Sequence, residues 1–181
     1  GDRISDGLVV VKEGHRANPK RIREVEAGHP VPDERGLAAA RDLLDLVRSA
    51  DHDDLVILLV SGGGSALLPA PVPPITLAEK QTLTRLLLEA GATINELNAV
   101  RKHCSGVKGG RLAQAAAPAS VLSLILSDVI GDPLAVIASG PTAPDPTTYA
   151  DALAVLAKFR LEDRAPLSIM THLEHGVRGG I

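Results

Sequence analysis

Residues 55–60 read Leu-Val-Ile-Leu-Leu-Val, an unbroken aliphatic run, and the chain then passes directly into Ser61, Gly62, Gly63, Gly64 and Ser65. A continuous apolar run of this length suits a strand covered on both faces, as in the interior of a parallel sheet flanked by helices. Three successive glycines cost backbone entropy on folding. They mark either a tolerated turn or a place where bare backbone must come close to something.

The rest of the chain alternates strand and helix signals with no internal repeat, which makes an α/β layered fold the expected class. Residues 8–11 form a short β-branched run between glycines, and residues 21–26 alternate charged and apolar residues as a half-exposed strand does. Asp33 is placed to cap a helix over 34–49, with Leu37, Leu44 and Val47 at helical spacing. Thr76 and Glu79 form a capping-box pattern for a helix over 77–90, closed by Gly91. Helices over 95–104 and 110–117 follow, and residues 121–126 form another buried strand. Asp145 and Pro146 are expected to open a helix that runs to about residue 158, and Pro166 to begin the last one.

Composition excludes some functions. Phe, Tyr and Trp together make up 1% of the 181 residues and the net charge is −3, so there is neither a stacking platform nor a basic footprint for nucleic acid. No apolar run approaches the length of a membrane span, and the lone Cys104 fits a reducing compartment. A cytoplasmic protein without nucleic-acid or membrane partners is expected. Homo-oligomerisation stays open. The chain starts without Met and stops on a Gly-Gly turn signal, which suggests a piece of a longer protein.

Two turns carry the candidate chemistry. No Gly-Lys pair occurs, so the glycine loop is not a Walker A motif, and Leu67 stands where a dinucleotide fingerprint requires a small residue. What remains is a strand-loop with consecutive N–H groups and two hydroxyls, either an anion nest or a plain tight turn. The second turn, with Ser127, Asp128, Gly131 and Asp132, also follows a buried strand, so the two converge if their strands are neighbours. A carboxylate there can hold Mg²⁺ or accept a proton, or else merely cap a turn. Between them Arg101, Lys102, His103, Lys108 and Arg111 offer either anion contacts or a solvated helical face. His172 and His175 read as surface residues, and Cys104 as a small apolar filler.

The stretches AGHPVPDERG, LVSGGGSALL, GATINELNAVRKHCSGVKGGRLA and LILSDVIGDPLAVIASGPTAPDPTTYADAL resemble, in this order, the type II glycerate kinases, the glycerate 2-kinase family, many of whose members carry the older label hydroxypyruvate reductase. The resemblance implies a Rossmann-like three-layer α/β/α fold with a mainly parallel sheet. It implies that residues 1–181 are most of the larger kinase domain, with a Gly-Lys segment upstream and a smaller domain downstream. It implies transfer of the γ-phosphoryl group of ATP, with Mg²⁺, to the 2-hydroxyl of D-glycerate. Carried over, Ser61, Gly62, Gly63, Gly64 and Ser65 are the phosphate cradle, with both serines adding hydroxyl donors. Asp128 is the catalytic carboxylate or, with Asp132, a metal ligand, and Arg101 and Lys108 contact carboxylate or phosphate. The alternatives are an NAD(P)H-dependent hydroxypyruvate reductase and a non-catalytic ligand-binding domain. This segment alone is expected to have little or no turnover.

Overall fold

The computed structural model describes residues 3–127 and 129–180; Asp128, given the catalytic role from sequence, lies outside them. Two parallel strand pairs carry the fold. Strand β1 (Leu8–Lys12) pairs with β2 (Arg23–Ala27), and β3 (Leu55–Val60) pairs with β4 (Ser120–Ile125), in a register that sets Val60 opposite Ile125. Helix α1 (Glu34–Arg48) links β2 to β3. The one-turn α2 (Gly64–Leu67), then α3 (Leu77–Glu89), α4 (Ile94–His103) and α5 (Arg111–Ala115) lie between β3 and β4, and α6 (Tyr149–Lys158) and α7 (Leu167–Val177) follow. The α/β class and the parallel pairing agree with the sequence expectation.

The helix starts follow from their caps. Asp33 accepts from the Gly36 N–H at the head of α1, and Thr76 with Glu79 closes a reciprocal capping box on α3, as the spacing predicts. Thr93 with Glu96 does the same for α4. Thr148 with Asp151 does so for α6. The expected start of α6 at Asp145 and Pro146 is therefore corrected to Tyr149: Thr148 supplies the cap, and the Asp145 carboxylate is spent on Lys102 and Thr147.

Two aliphatic clusters hold the layers. Leu43, Leu44 and Val47 of α1 and Leu112 of α5 pack against Leu58 and Val121 on one face of the β3–β4 pair. Leu87, Val100, Leu156 and Leu173 join α3, α4, α6 and α7. Each such side chain contributes about 1.5–3 kcal/mol by leaving water, which is how a core with almost no aromatics suffices.

The expectation that residues 54–60 form a strand covered on both faces is not met. Burial alternates along β3 and β4, and Leu55, Ile57 and Leu59 are more than half exposed, beside exposed Leu122 and Leu124. Helices cover only the face that carries Val56, Leu58 and Val121. Because β3 and β4 are parallel neighbours, the chain leaves both at the same edge, the one where open α/β sheets bind ligands.

Candidate functional site

The glycine loop follows β3 at that edge. Gly63 has φ +83° and precedes the first residue of α2, a conformation that costs a residue with a Cβ about 1–2 kcal/mol. Ser61, Gly62 and Gly63 are exposed. Among the described residues, no acceptor pairs with the N–H of Gly62, Gly63 or Ser65, whereas the N–H groups of Gly64 and Ala66 turn back to Ser61 and Gly63. Three donors are thus left without a described acceptor on backbone with little side chain to shield it.

Behind the loop, Ser65 gathers two cations. Lys108 donates to the Ser65 carbonyl and to its hydroxyl, both at 2.9 Å, and Arg101 Nη2 donates to the same hydroxyl at 3.1 Å. The Ser139 hydroxyl donates to Asn98 Oδ1 at 3.1 Å, so in the 3.0 Å contact between Ser65 and Ser139 the proton comes from Ser65. Ser65 Oγ therefore accepts twice and donates once within the protein. It has no proton left for a ligand, which corrects the expectation that it adds a hydroxyl donor.

Ser139 is held in place by a left-handed turn. Ala138, Ser139 and Gly140 have φ of +49°, +63° and +62°, pinned by the Gly109 N–H to the Ser139 carbonyl and the Gly110 N–H to the Gly140 carbonyl. Two residues with side chains in this region cost about 1–2 kcal/mol each, and that strain is stored next to the Ser65 cluster.

The basic stretch is not the solvated face that was the alternative reading. Lys102, His103 and Lys108 are buried. Lys102 is neutralised by Asp145 at 3.2 Å, and His103 Nε2 lies 3.8 Å from the same carboxylate. Burial works to raise the Asp145 pKa, but the Thr147 N–H and hydroxyl and Lys102 outweigh it and hold the carboxyl below its ordinary value. Burial also pushes the His103 pKa down.

Lys108 has no such partner. Among the described residues no carboxylate pairs with Lys108, Arg101 or the buried Lys80, whose amine donates to the Cys104 carbonyl at 3.2 Å. Burial, reinforced by Lys80 and Arg101, pushes the Lys108 amine well below its ordinary pKa. Burial takes Lys80 down to about 7. Buried cations are ordinarily paired, so the unpaired Lys80 and Lys108, with half-buried Arg101 beside Lys108, fit an anion that completes the site.

Other expectations fall as follows. Cys104 is fully buried with its thiol pushed up to about 11 by burial, in keeping with a filler. His175 is exposed, but His172 is half-buried, bonds the His103 carbonyl at 2.8 Å and meets Tyr149 edge-on, so it is structural rather than a free surface group. Asp132 is exposed and left-handed, with φ +49°, in the turn after β4. The three potential metal ligands that do cluster among the described residues, Asp51, His52 and Asp53, lie before β3, at the opposite edge.

Sequence reasoning missed Lys80, Asn98, Ser139 and His29. The first two are polar residues at inward positions of α3 and α4, a signal that helical periodicity contains. Ser139 sits in an Ile-Ala-Ser-Gly-Pro turn whose Gly-Pro pair marks the bend but not its partner. His29 packs on Gly63: a Cβ built there would stand 2.8 Å from its Nε2.

Known proteins share this arrangement of elements. The chain is 45% identical over 178 residues to a glycerate 2-kinase of Pyrococcus horikoshii, covering 98% of this chain and 40% of that protein. It is 50% identical over 156 residues to a putative hydroxypyruvate reductase of Agrobacterium vitis, covering 86% and 36%. The solved glycerate kinase of Thermotoga maritima superposes with a TM-score of 0.91 at 47% identity, covering 96% of this chain and 42% of that one. The chain thus spans well under half the length of the relatives it matches. The resemblance drawn from the motifs is borne out, and the α/β class with it. Residues 1–174 match the family described as Domain of unknown function (DUF4147), and the chain belongs to that family.

Proposed function

We propose that this chain carries the phosphate-binding half of a kinase that transfers the γ-phosphoryl group of ATP to the 2-hydroxyl of D-glycerate, giving 2-phosphoglycerate. The observation that carries the reading is the pair of buried Lys108 and half-buried Arg101, without a described carboxylate partner and meeting on Ser65 directly behind three unpartnered loop N–H groups. Phosphoryl transfer asks a protein chiefly for positioning and charge stabilisation, and this cluster is suited to both. The Gly62, Gly63 and Ser65 amides would hold phosphate oxygens. Lys108 and Arg101 would hold the anionic end of nucleotide or glycerate.

The donor set fits a polyphosphate, since it is all N–H and cation. Asp132, four residues after Asp128 in the sequence, fits an ion held by one or two carboxylates and completed by phosphate oxygens, the usual manner for Mg²⁺. Mg²⁺ bound there would neutralise phosphate charge. Asp128 would either receive the proton of the glycerate hydroxyl or share that ion with Asp132.

The test is to incubate the full-length protein with ATP, Mg²⁺ and D-glycerate and follow the phosphorus NMR signals, beside a parallel mixture with NADH and hydroxypyruvate. ADP and 2-phosphoglycerate with stable NADH support the kinase. The reductase reading survives because relatives such as the Agrobacterium vitis protein bear that name. Consumption of NADH with ATP untouched would favour it and remove the phosphate assignment. If both mixtures stay unchanged while ATP binds, the non-catalytic domain is left.

A further inference from the structure

Ser65 has no proton to offer a ligand, which leaves Ser61 as the hydroxyl donor within the loop. A further side-chain donor comes from another segment. His29 follows β2 by two residues, in the turn that leads to α1, and its ring lies against Gly63: a Cβ there would be 2.8 Å from Nε2 and 3.2 Å from Cδ2. Glycine at position 63 is therefore favoured by φ +83°, and a side chain there would also have to displace the exposed imidazole.

The turn that carries His29 is fixed rather than loose. A Cβ on Gly28 would stand 2.6 Å from the Val31 carbonyl oxygen and 3.1 Å from the Asp33 carboxylate that caps α1. Among the described residues neither ring nitrogen of His29 has a hydrogen-bond partner, and the side chain is exposed. A ring with both nitrogens free thus stands against Gly63, the middle of the glycine loop, at the ligand-binding edge of the sheet.

We infer that His29 is a further side-chain donor of the anion site, its imidazole N–H bonding a phosphoryl oxygen of a polyphosphate seated on the Gly62, Gly63 and Ser65 amides. This rests on the reading of the glycine loop as a phosphate cradle. It moves the hydroxyl role given to Ser65 by sequence to a residue 36 positions upstream in the chain.

The experiment is calorimetric titration of the chain with inorganic tripolyphosphate, and separately with ATP, for wild type, His29→Ala, His29→Gln and Lys108→Met, with thermal unfolding alongside. His29→Ala is expected to bind about tenfold more weakly, the loss of one hydrogen bond to a charged group, at an unchanged unfolding temperature. His29→Gln keeps an N–H at similar reach and is expected within about threefold of wild type. If His29→Ala binds as wild type does while Lys108→Met does not, the anion sits on the buried cations away from Gly63, and the assignment of His29 is overturned while the site stands. If wild type itself binds neither probe, the cradle and the assignment of His29 fall together.

Discussion

The outer face of β3–β4 and the cluster around Ser65 break the same rule in opposite directions. On the sheet face Leu55, Ile57 and Leu59 stand in water, Leu59 at 73% exposure. In the cluster, by contrast, Lys108 is 2% exposed and nearby Lys80 6%. The costs differ in kind. An exposed leucine only forgoes the gain of about 1.5–3 kcal/mol that burial would bring, and the fold elsewhere is unaffected. A buried ammonium without a counter-charge is actively unfavourable, and it answers by shifting its pKa, as Lys80 and Lys108 do. Apolar exposure is therefore weak evidence of what the face does. Unpaired burial of charge is strong evidence, because a chain selected for stability alone would have placed Leu or Met there.

The largest effect should come from testing that last statement. Lys108→Met keeps the length of the side chain and removes the charge. Tripolyphosphate affinity is expected to fall about a hundredfold while the unfolding temperature holds or rises, since a desolvated cation is exchanged for a hydrophobe. Calorimetry and thermal unfolding read the two arms. A lower unfolding temperature with unchanged affinity would make Lys108 a strut for α2 and dissolve the contrast with the sheet face.

How much of this was legible in the sequence depends on range. The glycine loop, the capping box at Thr76 and the aliphatic strands were readable because period, caps and turn residues act over a few positions. The one-sided exposure of β3 was not, because an unbroken apolar run reads alike whether one face or both are covered. Nor was the Ser65 hub: Asn98, Lys108 and Ser139 are brought to it from α4, from the loop after it and from the turn beyond β4. Asp145 shows the reverse error. Its position before a proline reads as a helix cap, yet the buried Lys102 claims it, and burial of charge outranks capping in energy.

A smaller effect separates the two buried lysines from ordinary surface lysines by pH. The Lys80 pKa is about 7 in the fold against 10.5 as the unperturbed value. Between those values the unfolded chain holds a proton that the folded chain has released, so stability rises with pH across that window; below it the penalty is present in full. From about pH 7 to about pH 9, wild type should gain about 2 kcal/mol relative to Lys80→Met, from urea unfolding at each pH. A flat difference between the two proteins would mean that Lys80 stays protonated throughout, with a counter-charge near it in solution.

The smallest effect sharpens the other side of the comparison. Leu58 and Leu59 are sequence neighbours on opposite faces of β3, the first packed against the α1 cluster and the second exposed. Threonine preserves strand propensity while shortening the side chain and adding a hydroxyl, so the two substitutions differ mainly in what the leucine touches. Leu58→Thr should cost about 1–3 kcal/mol, from lost packing and a half-buried hydroxyl, whereas Leu59→Thr should stay within about 0.5 kcal/mol. Urea midpoints at constant slope measure both. Equal losses would mean that the outer face is covered in solution, and that its leucines are as much a part of a core as those beneath α1.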